Sequence, residues 1–205
     1  MEAGGCFDRF SVTDCYIHQC WDAGVSNQDS ADEPERTGLD ELQYEDAIHR
    51  NINYDRNVFS HTAMPVEIFF DLEDDAGYGR HYMENVSIAE NYMLYTGYGW
   101  SVTDMRLHNM NKNAAYMAHW CPNTAWNFVI ENNVFYLSTG PLISTGALRD
   151  SLPVLSGNIY AQCENGMLAR WTSENGECIP YRFNADTAQG IIHSILGDQT
   201  GVVLE

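Results

Sequence analysis

A chain of 205 residues fits one domain and is long enough for a real core. Its 29 acidic against 10 basic residues give a formal charge of -19, which argues against a phosphate-backbone partner, because a nucleic-acid face needs clustered Lys and Arg. No run approaches the roughly 18 apolar residues of a membrane span, and an acidic surface suits a neutral or cationic ligand, or solubility alone.

The N-terminal Met1-Glu-Ala-Gly-Gly5 has neither a basic n-region nor an apolar h-region, so no signal peptide is read in this chain. A first repeat begins by Phe10, with Val12 and Ile17 around Cys15. The same pattern returns around Asn57 (Ile52, Tyr54, then Phe59) and Asn91 (Val86, Ile88, then Met93). It recurs around Asn133 (Phe128, Ile130, then Phe135) and Asn158 (Pro153, Leu155, then Tyr160). The centres at 15, 57, 91, 133 and 158 are separated by 42, 34, 42 and 25 residues, a fixed unit with variable spacers. Within each unit apolar residues alternate with polar ones, the mark of a strand with one buried face. The central Asn is expected to turn the chain, tolerating left-handed backbone, and stacked Asn side chains can bond to one another.

Each unit continues into a third strand, read at Val25–Gln28, Val66–Asp71, Trp100–Val102 and Leu142–Ile143. Spacers 29–48, 73–83 and 103–124 are expected between a third strand and the next first strand, and so along one edge; such insertions often mark a binding face. After Tyr160 the pattern fades into two irregular strands around Met167–Trp171 and Cys178–Phe183. A helix over Thr187–Leu196 follows, with Asp186 as its N-cap and Gly197 as its end, placed to close one end of the repeats. Of the six cysteines (6, 15, 20, 121, 163, 178), Cys15 and Cys20 fall at core positions, which predicts buried free thiols rather than disulfides.

Three short strands per repeat around one core resemble the right-handed parallel β-helix superfamily, the pectate-lyase-like fold, over roughly residues 8 to 162. The expected fold is therefore an all-β right-handed parallel β-helix solenoid, with long loop insertions on one edge and a C-terminal capping helix. Residues 1–205 form a single domain in this reading, with 163–205 an irregular end. Solenoids cap their terminal repeats, and no such cap is evident before Phe10, so the chain reads as part of a longer protein. An extracellular or periplasmic location follows if that protein belongs to a secreted bacterial glycan-processing system.

With Val66, Ile68 and Phe70 inward, Glu67 and Asp71 point outward beneath the long spacers, with Asp104 at a loop mouth. Asn27, Gln28, Tyr98, Trp100, Arg106, His119 and Trp120 are the candidate substrate contacts of such a groove. Sugars are held this way, with aromatic rings on C–H faces and amides or carboxylates on hydroxyls. Paired carboxylates at a glycosidic bond serve as acid and base, or as acid and nucleophile. The plainer reading makes Glu67 and Asp71 solvated strand residues, Asp104 an N-cap, Trp100 a core ring, and His18 and His61 polar turn groups.

No metal signature occurs, and no cofactor is expected. The acidic run Glu73-Asp-Asp75 before Gly77 offers oxygen ligands for calcium but lacks alternating ligand spacing, so a solvated charge run is the favoured reading. Lys112 is the only lysine, which disfavours a lyase or epimerase. The phrase Gly97-Tyr-Gly-Trp100 followed by Arg106 resembles a feature of uncharacterised β-helix proteins near glycan-degrading systems. β-Helical glycoside hydrolases carry carboxylates on parallel strands under long loops, and the resemblance implies hydrolysis of an oligo- or polysaccharide. A non-catalytic glycan-binding or adhesive module is the alternative, and a lyase or epimerase the third.

Overall fold

The computed structural model describes residues 1–4, 8–20, 22–30, 47–71, 81–99, 114–119, 124–145 and 152–204. The chain is mostly β, with parallel sheets. In chain order the strands open with β1 (Glu2–Gly4), β2 (Asp8–Thr13), β3 (Tyr16–His18), β4 (Ala23–Ser30), β5 (Ala47–Asp55), β6 (Val58–Ser60) and β7 (Met64–Asp71). Next come β8 (His81–Ala89), β9 (Tyr92–Thr96), β10 (Tyr116–His119), β11 (Thr124–Glu131), β12 (Val134–Ser138) and β13 (Ile143–Thr145). The last are β14 (Val154–Ser156), β15 (Ile159–Ala161), β16 (Met167–Thr172), β17 (Cys178–Arg182), helix α1 (Ala188–Ser194) and β18 (Val202–Leu204).

From β1 to β16 successive strands visit three sheets in rotation. Sheet A orders β1-β4-β7-β10-β13-β16-β17, sheet B β14-β11-β8-β5-β2, and sheet C β18-β15-β12-β9-β6-β3. All neighbours are parallel except β16 and β17. The repeat read from the sequence sets the register. Phe10, Ile52, Val86 and Phe128 align across sheet B, and so do Val12, Tyr54, Ile88, Ile130 and Leu155. On sheet C, Ile17, Phe59, Met93, Phe135, Tyr160 and Val203 align in the same way. These rows meet in one hydrophobic core.

The central residues build a ladder between sheets B and C. Asn57, Asn91, Asn133 and Asn158 are fully buried, and a buried amide is costly unless bonded. Each one is bonded several times. Asn133 Oδ1 accepts the backbone N–H and the Nδ2 of Asn91, both at 2.9 Å. Its own Nδ2 donates to the Ile88 carbonyl at 2.8 Å and to Asn158 Oδ1 at 3.0 Å. Cys15 enters the ladder through its backbone N–H, which donates to Asn57 Oδ1 at 3.0 Å. The left-handed residue expected at the Asn is the one before it: Asp14, Arg56, Glu90, Asn132 and Gly157 carry φ of +56°, +57°, +56°, +55° and +65°. The Asn must aim its amide inward along the stack, so its predecessor takes the turn.

The third repeat departs from the sequence reading. Its sheet A strand is β10, between β7 and β13 and inside the expected spacer 103–124; the stretch 100–102 read as that strand lies outside the described residues. Tyr116 and Ala118 are buried in register with Val66 and Ile68 on one side and Ile143 and Thr145 on the other, which fixes β10 in place. Two of the expected spacers do join sheet A to sheet B, with strand structure reaching Ser30 and Asp71 before them and resuming at Ala47 and His81.

The faded C-terminal region completes the pattern. β16 and β17 pair antiparallel, and β18 adds a parallel strand to sheet C beside β15. Before it, Asp198 takes the ladder position. Its carboxylate accepts Gly157 N–H at 2.8 Å, Asn158 N–H at 3.1 Å, Asn158 Nδ2 at 2.9 Å and the Tyr160 hydroxyl at 3.0 Å. Thr187, rather than Asp186, is the N-cap of α1, and it makes no side-chain cap bond. Ala188, Ile192 and Leu196 are buried in the core; the helix ends at Ser194 with Ile195 as its C-cap, two residues before the expected Gly197, which carries φ +77°. Cys15 and Cys20 are half-buried and in no disulfide, more exposed than their sequence positions predict. Among the described residues, no helix is long and apolar enough to cross a membrane.

Candidate functional site

Sheet A carries the sequence-predicted carboxylate on its outer face. Val66 and Ile68 are fully buried in the core, so β7 turns Glu67 to the opposite side by strand alternation. Glu67 is nonetheless only 6 % exposed, which removes the reading of a solvated strand residue. Its neighbour across the sheet, Ser26, is equally hidden, and Ser26 Oγ donates to Glu67 Oε2 at 3.1 Å. The row Ser26, Glu67, Met117, Ser144 and Arg170 is in register over five strands. A second level aligns the backbones of Gln28, Phe69 and His119, and Asp71 ends β7 opposite Ser30.

The other predicted contacts divide. Asn27 shares the inward parity of Val25, is fully buried, and accepts a hydrogen bond from the Tyr54 hydroxyl through Oδ1. That removes it from the outer face: Tyr54 needs an interior acceptor, and burial pushes its hydroxyl pKa up, so it stays a donor. Tyr98 is exposed and meets Tyr95 edge-on, with ring centroids 6.2 Å apart. The side chains of Gln28, Asp71 and His119, and all of Trp100, Asp104, Arg106, Trp120, Lys112 and the run Glu73, Asp74 and Asp75, lie outside the described residues. Among the described residues, no cluster of three His, Cys, Asp or Glu side chains is arranged for a metal.

A cleft of about 550 Å³ opens at the other end of sheet A, lined in part by Thr139, Pro141, Asn165, Arg170 and Arg182. It lies three strands from Glu67, or about 14 Å at the usual strand spacing. Volume and carboxylate therefore do not coincide, and the buried Ser26–Glu67 contact marks the chemical candidate more firmly than the cleft does.

Sheet C presents a surface the sequence reading missed. Its outward rows run Tyr16, Val58, Tyr92, Val134, Ile159, Val202 and His18, Ser60, Leu94, Tyr136, Ala161, Leu204. His18 and His61 are not isolated turn groups but members of a chain of rings. Tyr16 stacks on His18 at 5.9 Å, His18 meets His61 at 5.5 Å, and His61 stacks on Tyr95 at 5.1 Å. Tyr95 then meets Tyr136 edge-on at 5.4 Å. The signal was present in the sequence: Tyr16 and Tyr92 each directly follow a ladder residue, an offset that turns them away from the core.

No family model matches this chain, and neither a curated protein nor a solved structure matches it.

Proposed function

We propose that the chain winds as a right-handed parallel β-helix and hydrolyses a glycosidic bond in a neutral or weakly charged polysaccharide. The rotation of strands through three parallel sheets supports the winding, together with a ladder continuous from Cys15 to Asp198. The hydrolytic reading is carried by one observation: the carboxylate of Glu67 is buried on the outer face of sheet A and hydrogen-bonded to Ser26. A carboxylate withdrawn from water is the kind of group whose protonation an enzyme tunes for acid or base work.

Asp71 is the partner proposed for it. Four residues along one strand separate their Cα atoms by about 13 Å. A carboxyl separation of roughly 6.5–9.5 Å would give inversion and about 5 Å retention. Asp104 is the reserve partner.

The test is release of reducing sugar from a panel of plant, host and microbial glycans, with absorbance read for unsaturated products. E67Q should lower turnover about 100-fold or more while glycan binding persists. Unchanged turnover in E67Q, D71N and D104N would remove this site. Unsaturated products would point instead to a lyase.

A further inference from the structure

The outward rows of sheet C carry no Asp, Glu, Lys or Arg, although 39 of the 205 residues are charged. The exposed side chains on this face are largely apolar or aromatic. Tyr16, Tyr92, Val202 and Leu204 are each about half exposed or more, at 68 %, 52 %, 48 % and 46 %. An uncharged strip stands out on a chain of formal charge -19.

We infer that this strip is a binding surface for a neutral oligosaccharide, laid across the strands along the line of rings from Tyr16 to Tyr136. The inference takes its ligand class from the carbohydrate reading above but does not use Glu67. Three features select this occupant. Six strands about 4.8 Å apart, each contributing at least three paired residues, make a strip roughly 24 Å long and about 10 Å wide. That is about a third of the ~800 Å² per partner in a standard protein interface, so a second copy gains too little contact. The missing charge gives an anionic or cationic chain nothing to pair with. Finally, the rings run over the four strands from β3 to β12 and keep polar atoms at their rims, as the C–H faces and hydroxyls of successive sugars require.

The ring spacing also sets a length dependence. Each ring-to-ring step is 5.1–5.9 Å, so a longer saccharide reaches further rings and a disaccharide spans only part of the row.

The experiment is titration calorimetry of the full chain with cello-, xylo-, manno- and malto-oligosaccharides of two to six units. The expected result is binding by at least one series, with affinity rising at least tenfold from the disaccharide to the hexasaccharide. Tyr95→Ala combined with Tyr136→Ala should lower the hexasaccharide affinity at least tenfold, with the circular dichroism spectrum and unfolding midpoint retained. Three results would overturn the inference: no binding in any series, binding indifferent to the double variant, or a concentration-dependent dimer abolished by Tyr136→Arg. The E67Q variant separates the two proposals. Turnover lost with binding kept leaves the strip in place, and binding without turnover in the unmodified chain removes only the catalytic reading.

Discussion

Asn133 and Asp198 hold equivalent places in one ladder but need opposite chemistry. Asn133 accepts from the turn before it and donates both to Ile88 and to the next turn. Asp198 accepts four times and ends the line, so an acid suffices there. The isosteric exchanges should therefore both destabilise: N133D faces two acceptors with an acceptor, and D198N turns an N–H₂ toward donors. Each should cost about 1–3 kcal/mol, read as a shift in the urea midpoint. Asp55 behaves differently. Partial burial raises its pKa, although Ser87 Oγ at 2.8 Å and the Ala89 N–H at 3.0 Å both donate to Oδ1. A raised folded-state pKa means that the ionised form costs stability above that pKa, and that the cost vanishes below the ordinary Asp value. D55N keeps an acceptor for both donors. It should gain a few tenths of a kcal/mol near pH 7, a small figure because the group is half exposed, and nothing at pH 3. Unfolding curves at the two pH values check the sign.

At the scale of the element, the five left-handed turns before the ladder residues are alike in backbone and unlike in tolerance. A Cβ added to Gly157 would stand 2.6 Å from Asn132 Oδ1, on a backbone of φ +65°. Gly157→Ala should therefore cost about 1–2 kcal/mol from backbone handedness alone, and more from the contact. Glu90→Ala leaves a residue with a Cβ at φ +56° and should stay within about 0.5 kcal/mol. Thermal unfolding of the pair measures the contrast. These turns were half legible in the sequence. The Asn residues announced their position, but the inward aim that makes a ladder is a tertiary fact, and it moves the left-handed residue back by one. Strands with large alternating residues, such as Phe128 and Ile130, declared their register. β10 did not, because Ala118 within it and Ala114 and Ala115 before it offer little alternation, and its placement depends on Val66 and Ile143 beside it. The candidate site shows the same limit. Outward parity at Glu67 follows from Val66 and Ile68, but the hydrogen bond from Ser26, 41 positions earlier, exists only once two strands stack.

For the whole molecule, charge is the one property set by all residues together. At -19 the chain repels itself, and compactness concentrates that repulsion. Few of the described contacts offset it. Arg56 forms a bidentate pair with Asp14, both nitrogens at 2.8 Å, which holds the Asp14 carboxyl below its ordinary pKa, but the pair is exposed and screened. Raising ionic strength from about 0.01 to 0.1 M shortens the Debye length from about 30 to 10 Å, so the unfolding temperature should rise. Sodium and choline chloride should act alike, because screening depends on ionic strength and not on the cation's fit to a site. Calcium provides the sharper comparison. If Glu73, Asp74 and Asp75 are a solvated charge run, calcium chloride at matched ionic strength should add no more than a divalent ion's stronger screening, and magnesium chloride should equal it. A calcium-specific rise that saturates, and that E73Q, D74N and D75N together abolish, would make that run an ion site.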